Sequence, residues 1–328
     1  MMNIRWARSI PSLGTDGEAH DHVRTDLGAR QGGSSMLRAI FAGFATVMLV
    51  VGANGQTVPL PSSVPSEDGP RSLLDAILGI NAGIDQSGEN ERLDPDRPHL
   101  PEATTAVGTG RAILESGYTF TNKKGMAFQH SYPEALLRVG AVANWFEFRI
   151  GQNFLNEQQT IAGASPVVSG PQDLYLGVKV ALAQQKGWLP AVAVIPQMTV
   201  PTGDRALTAG RVMPGVNVDF SWDILKDLFG IELLVANNDV LDDLGGVQHQ
   251  FATGLTGVVQ LSKDLELFAE WDAFYAKGGL DSARPQHYAV GGFVFFATPN
   301  LALDVRVGIG LNDRSNPYLA GAGFAVRF

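Results

Sequence analysis

The sequence predicts an all-β chain, an antiparallel transmembrane β-barrel of about twelve strands with a short N-terminal periplasmic segment. Three observations predict it. The last residues, Tyr318 to Phe328, alternate with period two, which makes a strand with two distinct faces. Alternating stretches about ten residues long recur through residues 111–328, joined by alternately long and short connections. After residue 51 no apolar run reaches the ~20 residues of a membrane helix. Any membrane this chain enters must therefore be entered as strands.

Composition agrees. Hydrophobic residues make up 45% of the 328 and charged residues 17%, with 38 glycines, a balance that suits strands with one apolar and one polar face. The net charge of −9 argues against a nucleic-acid partner. The absence of cysteine excludes disulfides and Cys-ligated metals.

The N-terminal residues read as processing signals ahead of the fold. Residues 1–35 are polar and aperiodic, and are expected to be a gene-model extension with Met36 the true start. Residues 36–55 read as a signal peptide: Arg38 is the positive flank, 39–51 is an apolar run of 13 residues, and Ala53-Asn54-Gly55 is a small-residue cleavage site. Residues 56–110 are expected to be an N-terminal linker or periplasmic segment, lying in the periplasm or folded into the barrel mouth. Within it, Leu73, Leu74, Ile77 and Leu78 share one face of a short helix over 71–84. The stretch after that is polar and broken by Pro95, Pro98 and Pro101.

The barrel is expected over 111–328. Strands are read at 111–120, 134–141, 144–151, 173–182, 191–200, 214–222, 231–236, 249–261, 265–275, 287–296, 301–309 and 318–328. Many have an apolar row, such as Leu301, Leu303, Val305, Val307 and Ile309, against a row holding charges such as Asp304 and Arg306. In the tenth strand the apolar row is read as Tyr288, Val290, Val294 and Phe296. The fifth strand is weakened by Pro196. Connections such as 121–133, 152–172 and 237–248 are long and polar, while 142–143 and 262–264 are short. Outer-membrane barrels place short turns in the periplasm and long loops outside. Trp145, Trp188, Trp222, Tyr275, Tyr288, Phe296 and Tyr318 fall near strand ends, as interfacial girdles require.

Two resemblances add to this reading. The terminal strand resembles the closing strand of bacterial outer-membrane barrels, which implies that Phe328 is an insertion signal read by the barrel-assembly machinery. The stretch Asp96-Arg97-Pro98-His99-Leu100-Pro101-Glu102-Ala103, then Gly110-Arg111 and Leu114-Glu115-Ser116-Gly117-Tyr118, resembles the opening of a family of outer-membrane transporters. That family is named for the meta-cleavage pathway of phenol degradation. The resemblance covers about residues 94–328. It implies passage of aromatic or other apolar compounds and offers no catalytic residues to transfer.

Charges in the wall must face the lumen, because an Arg or Lys facing lipid at midplane costs about 2–4 kcal/mol. The lumen-lining set is therefore Arg111, Glu115, Arg138, Glu147, Arg149, Lys179, Asp219, Glu266, Glu270, Asp272, Asp304, Arg306 and Arg327, together with Glu134, Asp173 and Glu232. Pattern leaves two readings open. One is a polar pore in which the excess of acids favours cations; the other is a network of opposite charges that fills and shuts a small barrel. His20, His22, His99, His130, His249 and His287 are scattered. His249 and His287, with Asp242 and Asp243 nearby, read as solvated rim histidines without a metal. His130-Ser131 is read in a loop, and adjacency in sequence is not the geometry of a nucleophile and its base.

The expected function is passive passage of small, apolar or aromatic solutes through an outer-membrane channel, with no cofactor and no catalysis. The expected partners are outer-membrane lipid, the assembly machinery and a small-molecule solute. The alternatives are an outer-membrane barrel enzyme of lipase or esterase type, and a structural or adhesive barrel with a plugged lumen.

Overall fold

The computed structural model describes residues 69–79, 92–123, 128–158, 167–242, 245–277 and 285–328. The expected extension and signal peptide, and Asp243, lie outside the described residues.

Among the described residues, one short helix precedes the wall, α1 (Leu73–Leu78). The strands are β1 (Ala112–Asn122), β2 (Phe128–Gly140), β3 (Phe146–Gln158), β4 (Val167–Pro171), β5 (Leu174–Ala183), β6 (Ala191–Val200) and β7 (Met213–Leu225). They continue as β8 (Phe229–Leu241), β9 (Val247–Ser262), β10 (Leu265–Lys277), β11 (Gln286–Thr298), β12 (Leu301–Gly310) and β13 (Tyr318–Arg327). Among the described residues, thirteen strands form one antiparallel sheet, and the β1–β13 and β2–β3 ladders close it on itself. Closure matters because an open edge would leave unpaired amides in lipid.

The thirteenth strand is not an added stave. β4 pairs with Phe154–Gln158 of β3, and β5 pairs with Phe146–Gly151 of the same strand. β4 therefore continues the line of β5 above an irregularity at Gln172–Asp173, and the closed wall has twelve positions. The sequence reading treated β4 as part of a long loop.

Outer strand ends run further than hydrophobic alternation indicates. β2 begins at Phe128, β3 reaches Gln158 and β8 reaches Leu241. Their upper halves carry His130, Asn156, Asn238 and Asp239, which pair in the ladders all the same. Polar side chains beyond the hydrocarbon zone look like loop to a periodicity argument, although the backbone continues as strand. His130-Ser131, read as loop, lies in β2. Pro133 is accommodated where the β2–β3 register shifts between Ser131 and Glu134.

The outer face is apolar. Phe148, Leu255, Phe293, Phe295, Leu303, Val305, Val307 and Ile309 are all exposed on it. Replacing Val305 by Arg is expected to cost about 2–4 kcal/mol, lowering the urea midpoint of the barrel in lipid vesicles. An unchanged midpoint would show that this row does not face lipid.

One strand of the wall and the helix ahead of it depart from expectation. In β11 the row Tyr288, Val290, Val294 and Phe296 is buried inside, and Phe293 and Phe295 face out. Both rows of β11 are apolar, so alternation cannot assign the faces. Tyr288 and Phe296 are accordingly not part of an interfacial girdle. In α1, Ser72 caps the helix, its Oγ accepting from Asp75 N at 3.1 Å. Leu74, Ile77 and Leu78 do share a face, but that face is exposed, while Ser72 and Asp75 are buried. Lys186 of the β5–β6 turn holds Asp75 at 3.3 Å.

The inside is only half polar. Leu234 and Ala236 of β8, Ala252 of β9, Phe268 and Phe274 of β10 and Tyr288 and Val290 of β11 pack with Leu100. A second cluster gathers Leu93 and Val107 against Ile113, Val294, Phe296, Ala302 and Ala325. Both clusters include residues upstream of β1.

Candidate functional site

Residues 92–110 fold back inside the wall as a plug; only Gly110 and its neighbours lie at the start of β1. The plug begins at the end with short turns, the periplasmic end of such a barrel. There Leu93 N donates to Pro299 O at 2.8 Å. Arg92 donates to Glu266 at 3.1 Å and Gln260 at 2.9 Å, and sits 3.6 Å over the ring of Phe296. The chain climbs to Pro98–Leu100 and returns, and Gly110 N reaches Gly140 O at 3.1 Å. The plug itself does not span the membrane; it enters and leaves by one mouth.

Three prolines and several charges stop this segment from making helix or sheet of its own. Its buried amides must then find partners elsewhere, and they find carboxylates of the wall. Glu115 accepts Asp96 N and Arg97 N, both at 3.0 Å. Glu270 accepts Leu100 N, Asp219 accepts Glu102 N and Glu147 accepts Val107 N, each at 2.9 Å.

The plug's side chains meet opposite charges. Asp96 lies 3.1 Å from Arg138, 2.6 Å from Arg149 and 2.7 Å from Lys179. Burial alone would raise its carboxyl pKa, but the three cations more than offset this and hold it well below the usual range. Arg149 also binds Glu102 at 2.6 Å, and Arg138 bonds Glu147 through two nitrogens at 2.9 and 3.1 Å. Across the lumen, Arg97 forks onto Asp304 at 3.2 and 3.3 Å and reaches Glu134 at 2.9 Å. Arg306 donates to Pro98 O at 2.8 Å. His99 contacts Glu232 at 2.9 Å and packs edge-on against Phe268, centroids 4.4 Å apart.

Room for Arg97 comes from two wall glycines. A Cβ on Gly117 of β1 or on Gly323 of β13 would collide with the Arg97 guanidinium. Glycine here is required by close approach, not by backbone dihedrals.

Of the residues expected to line the lumen, Glu115, Arg138, Glu147, Arg149, Lys179, Asp219, Glu270, Asp272, Asp304 and Arg306 are buried. Glu266 lies at the periplasmic end with Arg92. Arg111 precedes β1, its carbonyl accepting Gly140 N at 2.9 Å. Arg327 bonds Asn300 of the β11–β12 turn at 2.8 Å. What sequence reasoning missed is where the partners come from. Ladder neighbours do pair, as Glu115 and Arg138 at 3.0 Å show, but the centre of the network is Asp96, from a segment expected to be a linker. The available signal was a proline-broken stretch carrying buried-type charges directly ahead of inward glycines.

A model of the family described as "Putative MetA-pathway of phenol degradation" matches residues 95–328. The chain belongs to this family. The match begins within the plug and runs through the wall to the last residue. Among solved structures, an outer membrane channel from Pseudomonas putida F1 is similar with TM-score 0.52 at 14% identity, covering 72% of this chain and 100% of that one. The transport unit of the autotransporter AIDA-I from Escherichia coli follows at TM-score 0.43 and 10% identity, with 66% and 89% covered. No curated protein matches the chain. The likeness to the P. putida channel shows the fold of an outer-membrane barrel. That fold, closed and apolar outside, places this phenol-pathway family member in the outer membrane.

Proposed function

We infer that the chain is a channel for passive passage of small solutes, shut in this conformation by residues 92–110 and open when they undock. One observation carries the reading. The twelve-position wall closes by its own ladders, and the plug is held inside it by side-chain, amide and apolar contacts alone. A wall of this size without its plug has a lumen. The apolar inner surface of β8–β11 supports solutes with apolar bodies, in line with the phenol pathway in the family's description and with the channel named in the P. putida structure's title. The exposed terminal Phe328, whose backbone pairs with Ala112, supports its reading by the assembly machinery.

The test is ion current through the purified protein in a planar bilayer. The expected record is a small or silent baseline with brief openings that modestly favour cations, because wall acids outnumber wall bases. A barrel that stays silent after its plug contacts are removed would overturn the channel reading in favour of a structural barrel. An enzyme reading finds little support among the described histidines. His130 bonds Tyr118 at 2.8 Å, His249 bonds Asp239 at 2.6 Å, His287 stacks on Trp271, and His99 holds Glu232.

The plug gives the current a pH dependence. Burial alone would lower the His99 pKa, but Glu232, then Glu270 and Glu266, more than offset this and lift it to about 9. Against an ordinary value near 6.5, charged His99 contributes to docking in full below about pH 6.5, and this contribution is lost as pH rises through about 9. Open probability is expected to rise across that window, and His99→Gln should flatten the rise. A rise unchanged in His99→Gln would assign it to another group.

A further inference from the structure

Between the plug tip and the outer ends of β6–β10 lies a cavity of about 690 Å³, counted with its open mouth. It differs in character from the charged network below it. One side is apolar, formed by Leu234, Ala236, Ala252 and Phe274, with Leu100 of the plug contributing to the lining. The other side is a cluster of three amides. Gln197 Nε2 donates to Asn217 Oδ1 at 3.0 Å and to Asn238 Oδ1 at 2.8 Å.

The amide bookkeeping defines what else the cluster takes. Both Nε2 hydrogens of Gln197 are used, which leaves its Oε1 as an acceptor and Asn217 Nδ2 as a donor without a protein partner among the described residues. A hydroxyl or an amide both donates and accepts, and so satisfies both atoms. The lining holds two carboxylates and no Lys or Arg. Glu102 is paired with Arg149 at 2.6 Å and Asp239 with His249 at 2.6 Å. An anionic solute finds no cation in the lining, and a cationic one must displace the partner that each carboxylate already holds, so neither recovers its lost hydration in full.

We propose that this cavity is a solute-binding site for small neutral molecules with an apolar body, about one ring in size, and one hydroxyl or amide end. The apolar body lies on β8–β10 and the polar end on Gln197 and Asn217. Because Leu100 and Glu102 belong to the plug and line the same cavity, the bound solute rests directly on the element that closes the lumen. This names the solute class for the passage inferred above and rests on that reading.

The chain contains no cysteine, so Thr199→Cys on the cavity wall creates a single reactive thiol. Its alkylation by a small neutral maleimide is followed in detergent, on barrels whose folding is verified by heat-modifiable gel migration. Benzyl alcohol is expected to slow the reaction at least about threefold, while benzoate and benzylamine at equal concentration leave it unchanged. Ala252→Phe, which fills the apolar side, should abolish the protection. Asn217→Leu, which removes the free donor, should do the same and serves if Ala252→Phe does not fold. Protection that is absent, equal for all three probes, or intact in both variants overturns the proposal, as does a thiol that never reacts. The readout needs no transport. A protected thiol in a barrel that never conducts would therefore keep the site and remove the channel, whereas conduction without protection would do the reverse.

Discussion

Asp96→Asn is expected to open the lumen, with single-channel conductance or open probability rising at least about tenfold over the unmodified protein. Asp96 is the plug's own anion among Arg138, Arg149 and Lys179, all of them buried, and Glu147 of the wall is the second anion they share. An Asn at this position fits sterically but cannot balance three cations. Removing one partner of a buried charge network costs about 3–5 kcal/mol. Here that cost falls on the docked state alone, because an undocked plug leaves the wall cations in water. At about 1.4 kcal/mol per tenfold, docking weakens by more than a hundredfold. The strand ladders do not include Asp96, so the barrel itself should stay folded and heat-modifiable. A folded Asp96→Asn barrel that remains as silent as its parent would show that the plug does not close the pore.

Gly323→Leu should open the same lumen from the wall, without altering any charge. A side chain at 323 occupies the position of the Arg97 guanidinium. Arg97 must then leave Asp304 and Glu134, which it holds at 3.2 and 2.9 Å. Gly117→Val attacks the same position from the neighbouring strand, since Gly117 and Gly323 are direct ladder partners. The control is Gly257→Ala, where the nearest atom to an added Cβ is 3.6 Å away, and where no change in current is expected. Both routes reach the same open wall, so Gly323→Leu and Asp96→Asn should share one ion selectivity, modestly for cations. Different selectivities would mean that each variant disturbs a different part of the lumen. A Gly323→Leu barrel that stays shut would mean that Arg97 can leave without releasing the plug.

The charged contacts at the centre of the plug divide the wall. Asp96 and Glu102 sit on the cations of β2, β3 and β5, and Arg97 sits on the acids of β2 and β12. This complementarity orients the plug as well as holding it. The apolar clusters around Leu93 and Leu100 add affinity that does not depend on salt. High salt should therefore loosen the plug only in part, because its ion pairs are buried and weakly screened.

Much of the wall was legible before any coordinates. Alternation identified β5, β6, β10 and β12 nearly to the residue, most plainly in β12, where an unbroken apolar row stands against Asp304 and Arg306. The closing strand was read from its alternation and its terminal aromatic residue. The alternating long and short connections set the up-and-down topology. Alternation failed where its premise failed. In β11 both rows are apolar, so the faces could not be told apart. In the upper halves of β2, β3 and β8 the strand leaves the lipid zone, and polar residues occupy both rows.

Local pattern by itself determined the class of fold, the strand order and the inward placement of charges, because these follow from period-two geometry and the cost of charge in lipid. Only the tertiary structure decided what those charges do. Pattern in the wall left an open acidic pore and a self-sealed network equally available. The decision lay in residues 92–110, which have no period to read. Their amides and charges take shape only against carboxylates, cations and inward glycines brought together from strands up to 208 positions away in sequence. Such contacts are set by closure of the barrel, and no local stretch of the chain encodes closure by itself.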